Sequence, residues 1–163
     1  MSSKSTRQLE SKASSGKDEG LKILITSFGY KQGPPPLANI VFDVRFLKNP
    51  YWVEELRPLT GRDVPVQQYV LEQELAQDFL VTLKDLLAKI LPKMAEMKVE
   101  QFVIAFGCTG GQHRSTTLVE KLADELASAY PDYKIIKQHR ELDKLSDDQD
   151  GDCGDTKYGA KPE

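Results

Sequence analysis

Four short stretches of the chain are dense in β-branched and aromatic residues: LKILITSF (21–28), NIVFDVRF (39–46), QFVIAF (101–106) and YKIIKQ (133–138). Runs of this kind, bounded by polar or Gly/Pro-containing segments, predict strands. A different period governs residues 72–97, where Leu75, Phe79, Leu83, Leu86, Leu87 and Ile90 recur at helical spacing. Residues 115–130 repeat it with Leu118, Val119, Leu122, Ala123 and Leu126, so two main helices are expected. Strands alternating with helices predict an α/β fold, a three-layer-like sandwich with a mainly parallel sheet of about four strands and crossover helices. Two connections, 31–38 and 47–65, are longer than turns. In a parallel sheet both would meet at the carboxyl edge of the strands, where such sheets bind ligands.

The apolar pattern is confined to the middle of the chain. Residues 1–20 and 143–163 are polar and rich in Ser, Lys, Gly and acidic residues, and are expected to be disordered tails flanking one domain over 21–142. At 163 residues a single core is the natural solution. The net charge of -3 gives no basic field for nonspecific nucleic-acid binding, so any such contact needs a local patch. Of the two cysteines, Cys108 lies in a glycine-rich segment and Cys153 in the acidic tail, which is neither a disulfide framework nor a metal pattern. No metal or cofactor is expected. The first twenty residues lack the apolar region of a secretory signal, and Glu10, Asp18 and Glu19 argue against a transit peptide. No apolar run is long enough to span a bilayer, and a soluble cytoplasmic protein is expected.

The chemistry concentrates in FGCTGGQHRSTT, residues 106–117, at the junction of a strand and a helix expected to begin near Ser115. Unpaired amides at a helix start favour an anion. Gly110 and Gly111 let the backbone approach a ligand or take up positive φ. Thr109, Ser115 and Thr116 add hydroxyls, and Arg114 offers a bidentate fork to phosphate. The plainer alternative is a glycine-rich turn capped by Ser115 with His113 and Arg114 solvated. Cys108 and Arg114 also stand at C-x5-R spacing, the phosphate-loop pattern of cysteine-dependent phosphatases, in which a thiolate attacks phosphorus. Against that, Gly107 replaces the histidine usual there, and no general acid is marked out, although Asp43 and Asp63 are available; a buried cysteine is more commonly an apolar filler. A Walker A loop is absent. His113 reads equally as a proton shuttle or phosphate donor and as a surface residue, and His139 with Arg140 as a pocket pair or a solvated strand end.

SFGYKQGPPP, VFDVRFLKNPYW, LRPLTG, GCTGGQHRS and QHREL occur in an order that resembles the C-terminal domain of the RapZ family of RNase adapter proteins, over roughly residues 23–142. That resemblance implies a sugar-phosphate and RNA binding module, similar in fold to a phosphofructokinase substrate region, that senses glucosamine-6-phosphate and presents a small RNA to an endonuclease. It further implies a phosphosugar pocket at Cys108, Thr109, Gly110, Gly111, His113 and Arg114, with Asp43, Arg45 and Arg57 as additional ligands. An Asp43–Arg45 ion pair is the competing role for those two, since alternation puts them on one face of a strand. The resemblance does not extend to the family's P-loop half, so ATP or GTP chemistry is not carried over. Gln32 and Tyr51 stand where several members have histidine, and the acidic tail replaces a basic one, which weakens the RNA-binding half of the implied function. A local basic patch would have to come from Lys22, Lys31, Lys48, Arg62, Lys137 and Arg140. The expectation is a non-catalytic sensor of an aminosugar phosphate with a regulatory role. RNA adaptation and phosphatase chemistry are the alternatives. Tyr51 and Trp52 are either the interface of a homo-oligomer or aromatics closing a loop onto the core.

Overall fold

The computed structural model describes residues 20–147. Strands β1 (Lys22–Gly29) and β2 (Ile40–Asp43) are followed by helices α1 (Val64–Leu71) and α2 (Glu74–Glu96), after which β3 (Gln101–Cys108), α3 (Arg114–Ala129), β4 (Lys134–His139) and α4 (Arg140–Asp147) alternate. The sheet has the order β2-β3-β1-β4, and every neighbouring pair is parallel. The α/β architecture expected from the patterning is therefore present. Parallel pairing directs the carboxyl ends of β1, β2 and β3 to one edge, where Gly29 is opposite Cys108 and Asp43 opposite Gly107.

Alternation along the strands explains which face holds the core. Ile23 and Ile25 of β1 and Phe102, Ile104 and Phe106 of β3 are fully or almost fully buried. They join Leu80, Leu83, Leu87 and Leu91 of α2 and Leu118, Leu122 and Leu126 of α3 in one apolar cluster. Phe79 locks α2 to the sheet through edge-on contacts with Phe42 and Phe106, at ring separations of 5.2 and 6.2 Å. Pro92 sits in the last turns of α2, which continues to Glu96.

Three elements depart from the patterning. β2 ends at Asp43 rather than reaching residue 46, because the Asp43 carboxylate accepts the Arg45 amide at 3.0 Å and bends the chain out of the sheet. α1 was not anticipated: only Val66 and Val70 of its eight residues are buried, too few to reveal a helical period. α4 was not anticipated either, and makes residues 143–147 helical where a tail was expected from 143 onward. Its first turn is anchored by Asp143, whose Oδ2 accepts the His139 amide at 2.8 Å, and by Glu141, which is buried. The expected tails over 1–19 and 148–163, and Cys153, lie outside the described residues. Among the described residues no helix is long and apolar enough to cross a membrane.

Candidate functional site

At the end of β3 the chain turns through residues 109–113 before α3 begins at Arg114. The turn is shaped by Gly111, whose φ is +75°, a region costly for any residue with a side chain. Room is lacking as well: a β-carbon there would lie 2.6 Å from the Gly29 nitrogen and 2.7 Å from a Glu141 oxygen. Gly110, expected to share this role, has neither a positive φ nor a neighbour that a β-carbon would touch. The tight junction with β1 forces only the second glycine of the pair into the left-handed region. α3 is not capped by Ser115 either; that hydroxyl is fully buried, 3.1 Å from the Cys108 sulfur. The Gly111 amide donates to the same sulfur at 3.2 Å.

Arg114 enters the helix almost fully buried. Its Nη1 donates to the carbonyls of Arg45 and Leu47, both at 3.0 Å, and its Nη2 to the Thr109 hydroxyl at 3.3 Å. A guanidinium has five N–H donors. Two are spent on tying down the chain after β2 and one on the turn. One N–H of Nη2 is left over, while the buried Nε finds no partner among the described residues. Burial lowers the proton affinity of Arg114, but an arginine stays charged at such a site. His113 is not a surface residue: it is buried, and burial lowers its pKa below the ordinary 6.5 against the opposing pull of the Arg57, Leu59 and Leu56 carbonyls. It is neutral at pH 7.

These groups wall a cavity of about 690 Å3 at the carboxyl edge of the sheet. Six of the expected site residues line it: Arg45, Cys108, Thr109, Gly110, His113 and Arg114. Lys31 and Gln32 close one side, held by the Lys31 amide donating to the Thr109 carbonyl at 3.1 Å. The exposed Tyr51 and Trp52 form a rim, their rings edge-on at 5.7 Å. Asn49 builds that rim by accepting the Tyr51 amide at 3.2 Å, which starts the short 3-10 turn Pro50–Trp52.

Residues 21–143 match the family model described as the RapZ C-terminal domain. The chain belongs to the RapZ C-terminal domain family. A nucleotide-binding protein of Thermoanaerobacter sp. is 48% identical over 126 residues, 77% of this chain and 44% of that protein. The nucleotide-binding protein YvcJ of Bacillus subtilis is 48% identical over 128 residues, 78% of this chain and 42% of that protein. A nucleotide-binding protein of Clostridioides difficile is 43% identical over 129 residues, 78% of this chain and 45% of that protein. The chain thus spans less than half the length of the curated relatives it matches.

Within this RapZ C-terminal domain, the remaining expected residues stand behind the wall. Asp43 is held by Arg45 through bonds of 2.6 to 3.0 Å, and that arginine draws the carboxylate below its ordinary range. The Arg45 guanidinium also lies 4.2 Å from the Tyr30 ring centre, so it is fixed on two sides before it reaches the cavity. Arg57 donates Nε to the Tyr51 carbonyl at 3.0 Å and covers the Tyr51 ring at 5.1 Å, which makes it a brace for the rim. Gly111 and Ser115 act through the turn. His139 and Arg140 are in neither expected place: His139 is 1% exposed, and Arg140 donates to the Pro34 and Gly29 carbonyls and pairs with Glu141.

Of the cations considered for a basic patch, Arg62 and Lys137 meet on one carboxylate, Glu120. Lys22 starts β1 at the opposite edge of the sheet, Lys137 is paired with Glu120 and Asp124, and Arg62 with Asp143. Gln32, singled out by the resemblance as standing where members have histidine, lines the wall, whereas Asn49 and Gln112 were passed over. Their only signal was position, in the long loop after β2 and inside the glycine-rich turn.

Proposed function

We propose that this domain captures a phosphorylated small molecule, an aminosugar phosphate such as glucosamine-6-phosphate, and serves as a regulatory sensor of it. The observation that carries this reading is the cavity itself. A turn rich in backbone amides, the cations Lys31, Arg45 and Arg114, and an aromatic rim at Tyr51 and Trp52 surround one space large enough for a small ligand. Phosphate would meet the turn and the cations. The sugar ring would lie toward the rim, where Asn49 offers an amide group, with the Gln32 amide available from the side of Lys31.

Phosphatase chemistry is disfavoured by the state of Arg114. Phosphoryl transfer to a thiolate needs an arginine whose fork follows the equatorial oxygens, and here Nη1 is spent on two main-chain carbonyls. Asp43, a candidate general acid, is committed to Arg45. RNA capture is disfavoured by the pairing of Arg62, Lys137 and Arg140 with acidic neighbours. The relatives' name, nucleotide-binding, makes nucleotides the competing small ligands.

Trp52 is the only tryptophan, lies on the rim and is 77% exposed, so its emission reports on the cavity. The protein is titrated with glucosamine-6-phosphate, glucosamine, inorganic phosphate, AMP and a short RNA, by fluorescence and calorimetry. Saturable binding of the aminosugar phosphate, weaker for either half alone and reduced in Lys31→Ala, is the expected result. Preference for AMP or RNA, or no binding by any of them, would overturn the reading.

A further inference from the structure

Behind the turn runs a chain of buried hydrogen bonds that the proposed capture of an anion does not itself use. Thr116 Oγ1 donates to the Gly111 carbonyl at 3.1 Å. The same hydroxyl lies 3.4 Å from Ser27 Oγ, which is 2.8 Å from Nδ1 of His139. His139 Nε2 is 2.8 Å from a Glu120 oxygen. Ser27 and Thr116 are 0% exposed and His139 1%, so these links lie out of reach of bulk solvent.

Counting protons along this chain shows that it has two states. The Glu120 carboxylate only accepts, so Nε2 of His139 carries a proton in both. With neutral His139, Nδ1 is an acceptor and takes the Ser27 hydroxyl proton. The single Thr116 proton then has two acceptors, the Gly111 carbonyl and Ser27 Oγ, so one of those two contacts goes without a proton. With His139 protonated, Nδ1 donates to Ser27, Ser27 donates to Thr116, and Thr116 is left only the Gly111 carbonyl to donate to. Every link is then filled, and the residue with the strained φ is held in place. The added positive charge also favours an anion on the turn.

We propose that His139 is a positioning residue for the anion turn, acting through Ser27 and Thr116, and that its protonation is coupled to anion binding. This rests on the reading of the turn as an anion site. Charge reaches His139 from Glu120 of α3, Arg62 of the loop before α1 and Asp143 of α4, with Lys137 of β4 joined to the same Glu120, while β1 faces it with the neutral Ser27. Glu120 and Asp143 favour the protonated ring and Arg62 opposes it, while burial, the largest influence, lowers the pKa below 6.5. Coupling therefore operates on the acid side of neutrality, and by reciprocity a bound anion must raise the His139 titration midpoint.

His139 and His113 are the only histidines, so both ring signals are resolved by NMR. The wild-type protein is titrated from pH 7.5 to 5 with and without saturating sulfate, a probe whose own charge is constant over that range. The expected result is an upward move of the His139 midpoint by roughly half to one unit, matched by about a three- to tenfold tighter sulfate affinity at the acid end. Thr116→Ser should retain the coupling and Thr116→Val should abolish it, as should Ser27→Ala. A His139 midpoint unmoved by bound sulfate, or coupling that survives in Thr116→Val, would overturn the proposal while leaving the anion site standing. Sulfate that perturbs neither Trp52 emission nor the Gly111 amide would overturn the anion site and the coupling together.

Discussion

Gly110 and Gly111 are chemically identical neighbours with opposite structural duties, and replacing each by alanine separates them. At Gly111 the φ of +75° costs an alanine about 1–2 kcal/mol. Its β-carbon would then meet backbone on two sides, the Gly29 nitrogen at 2.6 Å and the Phe28 carbonyl carbon at 2.8 Å, with Glu141 at 2.7 Å. Backbone cannot rotate away as a side chain can, so overpacking adds roughly 1–3 kcal/mol. The sum, about 2–5 kcal/mol, is a large share of the ~5–15 kcal/mol that a domain has to spare. In a domain of this size Tm should fall by about 8–20 °C. Gly110→Ala meets no neighbour and no forbidden φ, and should leave stability within about 0.5 kcal/mol or raise it slightly by stiffening the unfolded chain. Urea unfolding followed by circular dichroism, with melting curves for the three proteins, measures both. Equal stability of the two variants, or a reversed order, would refute this account of the turn.

Arg114→Lys should cost about 2–4 kcal/mol in urea unfolding, because one ammonium cannot replace the fork that serves the Arg45 and Leu47 carbonyls and the Thr109 hydroxyl. A variant as stable as wild type would mean that those carbonyls find other donors. Stability should also fall as pH drops. His113 and His139 have folded pKa values lowered by burial, so below the unfolded value of 6.5 the unfolded chain binds more protons. The stability they contribute is present above pH 6.5 and is lost as pH falls through the folded values, with a slope of up to about 1.4 kcal/mol per pH unit for each histidine. Melting curves between pH 8 and 5 test this, and a flat profile would show both rings to be solvated. Finally, wild type and Cys108→Ser should be equally inactive toward p-nitrophenyl phosphate; turnover by wild type alone would restore the thiolate mechanism.

The parts of the fold legible in the sequence are those whose burial repeats often enough to impose a period. α2 and α3 each bury at least five residues at helical spacing, and β1 and β3 each bury six of eight positions. α1 buries two residues, and α4 is pinned chiefly by polar groups, which leave no periodic trace. The early end of β2 depends on one side chain bonding its own backbone two residues on. Hydropathy is blind to that, although an aspartate in mid-strand was its mark.

The site was legible as a collection of residue types and opaque in its division of labour. From spacing alone Arg114 looks like a free fork, Asp43 like a ligand and the two glycines like equals. Arg114 and Gly111 were reassigned by partners far away in the chain, the Arg45 and Leu47 carbonyls for Arg114 and Gly29 with Glu141 for Gly111, whereas Asp43 took the competing role that strand alternation offers, its pair with Arg45. The same reassignment bears on what kind of site this is. A turn held from behind by Thr116, from the side by Arg114 and from below by Gly29 has little freedom to follow moving charge. Rigid presentation of amides to a fixed anion is what selective capture needs, because no binding energy is then spent on ordering the loop. Under the proposed reading, discrimination among phosphates is left to the loop-built parts of the wall, Lys31 with Gln32 and the Asn49–Trp52 rim braced by Arg57.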